Sequence, residues 1–262
     1  MPDANPRPTF GTPHEFDSGQ GFSSGRESGS GHEHGSSPEA DPELTKTGTT
    51  TVAVAADDAV VVMADRRASA GGRFVTSKDT QKVERVHPTA AVALSGAVGS
   101  IQDYTRRLRS HADQYEIRRG DPPSVDAFAT YAGNLLRNGP YRMVRPVLGG
   151  VDSEGPHVYD LDGGGAVLEA PYAAKGSGTQ FALGVLEREF RPGFGVEQAT
   201  DAAARAVASA IERDTASGNG VTVAEITADG ATIEAHDDPA ALYEGERNSA
   251  APESTDDAEE VA

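Results

Sequence analysis

Two apolar segments near residue 50 lie close together, and neither contains a charged position. Residues 50–56 (TTVAVAA) and 59–64 (AVVVMA) are rich in β-branched side chains, which favour strands. The pair Asp57 and Asp58, typical of a turn, separates them. The pattern therefore predicts a β-hairpin at the start of a folded domain. Further strand patterns follow at residues 74–76, 82–86 and 90–94.

The hydrophobic spacing changes at residue 98. Between residues 98 and 118, apolar side chains recur three or four positions apart, the spacing of one buried helix face. These side chains are Ile101, Tyr104, Leu108, Ala112 and Tyr115. Gly120 and Pro122 end this helix. A second helix is predicted from Ser124, with Val125, Phe128, Ala132 and Leu135 on its inner face.

Strand spacing then returns, and the alternation repeats once more. Strands are predicted at residues 143–149, 156–161 and 166–170, helices at 179–190 and 196–213, and final strands at 221–227 and 231–235. Strands, two helices, strands, two helices and strands are typical of two packed sheets with a helix pair on each outer side. We therefore expect an α+β fold with a four-layer αββα sandwich.

The two ends of the chain differ from this middle segment. Residues 1–48 are rich in Gly, Ser, Pro and acids, with few aliphatic side chains that could offset the entropy lost on folding. Residues 237–262 carry nine acids and one base. We predict a disordered, removable leader over 1–48, a folded domain over 49–236 and a disordered acidic tail over 237–262.

The negative net charge of the chain limits the ligands that it can bind. The net charge is −18, of which the middle segment carries only −5, and lysine occurs only at positions 46, 78, 82 and 175. An acid-rich, lysine-poor balance resembles proteins from salt-loving archaea, where salt screens the repulsion; an ordinary acidic protein is the alternative. Such a field disfavours nucleic-acid binding, since it repels phosphates.

Features that the sequence lacks exclude several kinds of site and several classes of protein. The chain has no Cys, which excludes disulfides, thiolate metal sites and cysteine nucleophiles and fits a cytoplasmic protein. No apolar run approaches the roughly 20 residues of a membrane span, and the leader lacks the pattern of a secretory signal. His32 and His34 flank Glu33 in the leader, but a disordered segment offers no preformed metal geometry. We expect no cofactor and no metal.

Candidate chemistry lies where the leader meets the first strand, in the sequence Thr-Gly-Thr-Thr-Thr-Val of residues 47–52. If the Gly48–Thr49 bond is cut, Thr49 carries a hydroxyl nucleophile and a free α-amine on one residue. A Thr-rich start is also ordinary for a strand. The residues that follow decide between these readings.

Five motifs follow this junction in order. Asp65 lies sixteen residues after Thr49, within Ala64-Asp65-Arg66-Arg67; Lys82 begins a strand; Ser95-Gly96-Ala97-Val98-Gly99 enters the first helix; Gly176-Ser177-Gly178-Thr179 enters the third; and Arg213-Asp214-Thr215-Ala216-Ser217-Gly218 ends the fourth. With Gly48 before Thr49, these motifs resemble the proteasome β-subunit family over residues 49 to about 235. The resemblance implies an N-terminal nucleophile hydrolase fold.

The resemblance also implies a role for each motif residue. Thr49 is the nucleophile, Asp65 and Lys82 form the acid and base pair, and Gly96 supplies the oxyanion amide. The family's supporting residues fall on Ser177, Asp214 and Ser217. The segment between the acid and the lysine is one residue longer than usual, so Lys78 remains the alternative to Lys82.

A physical reason supports the pairing with a lysine. A free α-amine has a pKa of about 7.7 to 8.0, and a nearby ammonium group lowers it further, which leaves more free base near neutrality. Ala68, Leu94 and Val98 fall where the family lines its specificity pocket. Their apolar character favours cleavage after hydrophobic residues, and the charge of Glu84 nearby opposes that preference.

The implied function is a self-processed threonine endopeptidase that degrades unfolded polypeptides in the cytoplasm. By resemblance, seven β subunits form a ring, two rings stack, and rings of a separate α subunit cap them, with an ATP-driven unfoldase feeding substrate. Two alternatives remain: a ring subunit that keeps the fold without activity, and an amidase of the same nucleophile class that acts on a small molecule.

Overall fold

A computed structural model describes residues 48–70 and 72–243. The strands of this part, in chain order, are β1 (Thr50–Ala55), β2 (Val60–Asp65), β3 (Ala68–Ala70), β4 (Phe74–Ser77), β5 (Val83–His87), β6 (Ala90–Ser95), β7 (Arg145–Asp152), β8 (Gly155–Leu161), β9 (Val167–Glu169), β10 (Tyr172–Gly176), β11 (Val221–Thr227) and β12 (Gly230–His236). The helices are α1 (Val98–Arg119), α2 (Val125–Asn138), α3 (Thr179–Glu189) and α4 (Val196–Arg213).

The strands form two five-stranded antiparallel sheets and a small hairpin. The first sheet has the order β10-β1-β2-β11-β12, and the second has the order β5-β6-β7-β8-β9. Strands β3 and β4 pair separately. Helices α3 and α4 pack on the first sheet, and α1 and α2 pack on the second. The predicted αββα sandwich is therefore confirmed.

The apolar runs of β1 and β2 are continuous because both faces of their sheet are covered. Val52 and Val54 face the helix pair α3 and α4, whereas Ala53 faces the second sheet. In β2, Val61 packs toward the helices and Val62 toward the opposite sheet. Alternation along each strand thus builds two cores at once, one on each side of the sheet.

The helices begin and end where the sequence predicts them. Ser124 caps α2, since its hydroxyl accepts a hydrogen bond from the Ala127 N–H at 3.2 Å. Gly120 ends α1 in the left-handed conformation, with φ of 82°. The inner face of α4 is lined almost entirely by alanine, which lets this helix approach the sheet closely.

The sequence pattern did not predict two of the strands. Strand β10 reads Tyr-Ala-Ala-Lys-Gly and β3 reads Ala-Ser-Ala, so neither has the β-branched composition that marks a strand. Strand β10 forms through its pairing with β1, in which Thr50 lies opposite Gly176. This pairing places the segment around Ser177 beside Thr49.

The folded part extends beyond the boundary predicted at residue 236. Residues Pro239–Leu242 form a short 3-10 helix, and Leu242 is buried against the core beneath α4. Asp237 pairs with Arg66 at 2.8 Å. Residues 237–243 therefore belong to the folded part rather than to the disordered tail expected over 237–262. The predictions for residues 1–47, for 244–262 and for the His32–Glu33–His34 group lie outside the described residues.

Candidate active site

Thr49 lies immediately before β1, and only 1% of its surface is exposed. Its backbone N–H donates to Ser177 Oγ at 3.1 Å, and its carbonyl accepts from the Ser177 N–H at 2.8 Å. Next to the pairing of β1 with β10, Ser177 thus holds the backbone of Thr49 through its hydroxyl on one side and its own N–H on the other. The backbone that carries the Thr49 side chain is therefore held in place.

The hydroxyl of Thr49 contacts both members of the predicted acid and base pair. Thr49 Oγ1 donates to Asp65 Oδ1 and accepts from Lys82 Nζ. Lys82 Nζ also lies 2.8 Å from Asp65 Oδ1. Asp65 is fully buried, and Lys82 is 7% exposed. Lys78, the alternative, lies exposed past the end of β4, and the structure brings Lys82 to Thr49 instead.

Both carboxylate oxygens of Asp65 are held by backbone donors. Oδ1 accepts from the Thr50 N–H at 2.9 Å, and Oδ2 accepts from the N–H groups of Arg67 at 3.1 Å and Gly218 at 2.8 Å. A buried carboxylate is costly unless it is paired and hydrogen-bonded, and Asp65 meets both conditions. It therefore fixes the position of Lys82.

Burial changes the acid–base behaviour of Lys82. Removal of the ammonium group from water lowers the pKa of Lys82, although Asp65 works in the opposite direction. The lowered pKa makes the neutral amine more accessible than in a surface lysine. A neutral amine in contact with Thr49 Oγ1 is a candidate proton acceptor.

The three predicted supporting residues form one hydrogen-bonded chain behind Thr49. Ser177 Oγ and Ser217 Oγ each donate to Asp214 Oδ2, at 2.5 and 2.7 Å. Ser217 Oγ also lies 2.8 Å from Thr50 Oγ1. Asp214 caps the C-terminus of α4, where the helix dipole disfavours a carboxylate. Its two hydroxyl donors account for its presence there.

The junction before Thr49 accommodates only glycine. A Cβ atom at Gly48 would lie 2.0 Å from the Cβ of Ala216 and 3.1 Å from Ser177 Oγ. Gly176, across the strand pair, has φ of +105°, and a Cβ there would lie 1.9 Å from the Thr49 carbonyl oxygen. The peptide bond between Gly48 and Thr49 is thus closely packed on the side of residues 176 and 216.

Gly96 lies at the turn from β6 into α1. It has φ of +128°, and a Cβ there would lie 2.2 Å from the carbonyl oxygen of Met143. Both facts require glycine at this position. Gly96 and Thr49 line the same cavity, so the backbone of the turn borders the space in front of the Thr49 hydroxyl.

This cavity has a volume of about 360 Å³. The three residues predicted to form the specificity pocket, Ala68, Leu94 and Val98, all line it. Ile101 adds a further apolar side chain from α1. The part next to Thr49 is therefore suited to an apolar group.

Sequence reasoning missed several residues that shape the site. Thr50 holds both Asp65 and Ser217, but a threonine at a strand start gives no separate signal. Arg67 donates to Asn219 Oδ1 and to the Thr215 carbonyl, each at 2.9 Å, and so ties the segment after β2 to the segment after α4. In the sequence, only its position next to Arg66 set Arg67 apart from other arginines.

The described residues contain neither a metal-binding cluster of acidic, His or Cys side chains nor a membrane-spanning helix. In residues 48–70 and 72–243, no group of three or more His, Cys, Asp or Glu side chains could hold a metal ion. Within the same ranges, no helix has both the length and the apolar character that a membrane crossing requires.

Comparison with known proteins places this geometry in a family. A family model described as "Proteasome subunit" matches residues 45–226. The chain is 53% identical to "Proteasome subunit beta 2" of Haloarcula marismortui over 195 residues, which cover 74% of this chain and 85% of the relative. It is 53% identical to "Proteasome subunit beta" of Halorhabdus utahensis over 201 residues, 76% of this chain and 86% of the relative. It is 51% identical to "Proteasome subunit beta 2" of Haloterrigena turkmenica, over 74% of this chain and 82% of the relative.

These organisms are halophilic archaea, in keeping with the acid-rich, lysine-poor composition. The matched segment spans every element from β1 to the greater part of β11, including all the residues that surround Thr49. The chain belongs to the proteasome β-subunit family.

Proposed function

We propose that this β subunit is catalytic, a threonine endopeptidase whose nucleophile is Thr49 Oγ1 after cleavage of the Gly48–Thr49 bond. The observation that supports the proposal is the direct contact of Thr49 Oγ1 with Lys82 Nζ and Asp65 Oδ1 in a buried site. A hydroxyl is a weak nucleophile until a neighbouring base removes its proton. A subunit without activity has no need for this arrangement.

The first reaction is self-cleavage. Thr49 Oγ1 attacks the carbonyl carbon of Gly48, the C–N bond breaks, and the Thr49 nitrogen leaves as an amine, which gives an ester between Gly48 and Thr49 Oγ1. Water then hydrolyses the ester and releases the leader with a C-terminal carboxylate on Gly48. Before cleavage the Thr49 nitrogen is an amide and cannot act as a base. Of the two groups in contact with the hydroxyl, Asp65 accepts its hydrogen bond, and Lys82, whose neutral form burial favours, is the amine that we propose takes its proton.

The second reaction repeats the attack on a substrate. Thr49 Oγ1 adds to the peptide carbonyl, and its proton passes to the new α-amine, directly or through water, or to Lys82. The oxyanion lies toward the Gly96 turn that borders the cavity. The tetrahedral intermediate expels the substrate amine, and water hydrolyses the remaining ester. The Ser177 hydroxyl, which already accepts a hydrogen bond from the Thr49 nitrogen, orients the α-amine.

The proposal includes substrates and assembly. The apolar side chains of Ala68, Leu94 and Val98 favour cleavage after hydrophobic residues of unfolded polypeptides. Seven copies form a ring, two rings stack, α-subunit rings cap them, and an ATP-driven unfoldase delivers substrate in the cytoplasm. The names of the relatives, proteasome β subunits, support this arrangement.

The test is co-expression with an α-type partner in high salt, followed by intact-mass measurement and a casein-degradation assay. The wild type should lose residues 1–48 and degrade casein. Thr49→Ala should retain full length and show no degradation. Thr51→Ala is the matched control, because the Thr51 hydroxyl donates to the Lys175 carbonyl and contacts neither Asp65 nor Lys82.

Each alternative has its own outcome. A full-length wild-type chain within an assembled particle supports the ring subunit without activity, as does peptidase activity that survives Thr49→Ala. A processed chain that leaves casein intact but hydrolyses small amides supports the amidase. Either result would overturn the proposal.

A further inference from the structure

An ion pair lines the active-site cavity along with its apolar side chains. Glu84 on β5 and Arg109 on α1 meet at 2.6 Å between Oε2 and Nη2. Arg109 Nε also donates to the backbone carbonyl of Arg85 at 2.8 Å. Two hydrogen bonds thus hold the guanidinium against the strand, so its position does not depend on the carboxylate alone.

The pair also borders a second cavity. This neighbouring groove has a volume of about 740 Å³, and its lining includes His87 and Asp113. Three residues, Gln81, Glu84 and Arg109, line both spaces. They therefore form the partition between the active-site cavity and the groove.

Most charges that line the active-site cavity are compensated. Lys82 is paired with Asp65, and Glu84 is paired with Arg109. The remaining charged side chain of the lining, Arg106, is 71% exposed and shares the carboxylate of Asp103 with Arg107. A charged substrate side chain beside Glu84 or Arg109 would find the opposite charge already paired.

We propose that Glu84 and Arg109 act together as the specificity-determining pair of this pocket, and that the substrate class is polypeptides cleaved after uncharged residues. Each residue masks the charge of the other, so the apolar side chains decide which group enters. The negative charge of Glu84, expected from the sequence to oppose a hydrophobic preference, is neutralised by a residue of α1. The inference rests on the proposed function, since it concerns the pocket beside Thr49.

The experiment breaks the pair from each side in the assembled, processed particle. Fluorogenic peptides that differ only in the residue before the cleaved bond, Leu, Glu or Arg, report kcat/KM for each class. Glu84→Gln leaves Arg109 unpaired, and kcat/KM for the Glu peptide relative to the Leu peptide should rise about tenfold or more. Arg109→Gln leaves Glu84 unpaired, and the Arg peptide should gain by a similar factor. The side chains of Glu84 and Arg109 are 28% and 44% exposed. Because solvent weakens the effect of an exposed charge, we expect the change in relative kcat/KM to be close to about tenfold.

Arg188→Gln is the matched control. Arg188 on α3 pairs with Glu189 at 2.9 Å, so its substitution also breaks an arginine–glutamate pair, but neither residue lines the cavity or the groove. Its substitution should leave the ratios among the three peptides unchanged.

The outcomes separate the inference from the proposed function. If the wild type hydrolyses the Leu peptide and the two variants keep the wild-type ratios, the inference is wrong while the proposed function stands. If the wild type is processed but prefers the Glu or Arg peptide, the inference is also wrong. If the assembled wild type hydrolyses none of the peptides and Thr49→Ala makes no difference, the proposed function itself fails.

Discussion

Removal of Lys82 is the perturbation that tests the catalytic geometry most directly. Lys82→Ala takes away the amine that contacts Thr49 Oγ1 and the cation that pairs with Asp65 at 2.8 Å. We expect self-cleavage and peptide hydrolysis to fall by about 10²-fold to 10⁴-fold, the usual contribution of a positioned proton-transfer group. Lys78→Ala, which changes an exposed lysine, should process and hydrolyse at the wild-type rate.

The fold should survive this substitution. A buried charge that loses its partner costs about 3–5 kcal/mol. Asp65 keeps three backbone N–H donors, however, and a hydrogen bond to a charged group contributes about 1.5–3 kcal/mol. We therefore expect the free energy of unfolding to fall by about 1–3 kcal/mol, less than the cost of a fully unpaired buried charge. For a domain of this size the thermal midpoint then falls by about 2–4 °C per kcal/mol, so loss of activity is not loss of structure.

A second substitution separates the two roles of Lys82. Lys82→Arg keeps a positive charge, but a guanidinium with a pKa above about 12 cannot accept the proton. If Lys82 acts as the base, this variant should remain unprocessed like Lys82→Ala. If Lys82 acts only by its charge, Lys82→Arg should recover most of the activity.

The pH dependence of self-cleavage follows from the direction of the pKa shift. Burial lowers the pKa of Lys82, and Asp65 limits the shift. Below the lowered pKa the amine is protonated and cannot accept a proton, so the cleavage rate should rise with pH, with its midpoint below 10.5, the ordinary pKa of lysine. Intact mass measured over time at several pH values gives the rate. Wild-type rates in Lys82→Ala, or a loss in Lys78→Ala, would refute the assignment of Lys82.

Two further predictions use other parts of the structure. Gly48→Ala should block self-cleavage and leave the full-length mass, because the new methyl group would lie 2.0 Å from the Cβ of Ala216; normal processing would contradict the packing at this junction. His157→Gln should reduce stability at pH 6 but not at pH 9 in urea unfolding. Desolvation lowers the pKa of His157, but Glu169 and Asp152 raise it more, so the folded pKa lies above the ordinary value of 6.5. The contribution, at most about 1 kcal/mol for a pair near the surface, is present below pH 6.5 and lost as pH rises through the raised pKa; an equal loss at both pH values would contradict the reasoning.

The sequence predicted the elements whose side chains carry a regular spacing. The first hairpin, the four helices and the strands of the second sheet follow from alternation or helical periodicity, and both patterns arise from burial. Strand β10 does not follow, because its pairing with β1 rather than its composition makes it a strand. The same holds for residues 239–242, whose one buried apolar side chain, Leu242, lies among acids in the sequence.

The candidate site divides in the same way. Thr49 and Asp65 were predicted from motifs that resemble the family, and Lys82 from its place at a strand start, with Lys78 as the alternative; the structure brings Thr49, Asp65 and Lys82 together. Arg109 was not predicted, since its guanidinium reaches the pocket from a helix whose polar face gives no sign of a partner 25 residues away. Contacts between residues far apart in sequence depend on how the layers pack, which spacing within one element does not record.

Asp65 connects the site to the closure of the first sheet. Its carboxylate accepts hydrogen bonds from the backbone of Thr50 at the start of β1, of Arg67 after β2 and of Gly218 before β11. These three segments meet only when β1, β2 and β11 have paired. Lys82 lies immediately before β5 of the second sheet, so its contact with Asp65 also requires the two sheets to pack face to face. The proposed nucleophile, Thr49, and its proposed proton acceptor, Lys82, therefore come together only in the folded sandwich, so the self-cleavage that we propose requires the two sheets to have packed.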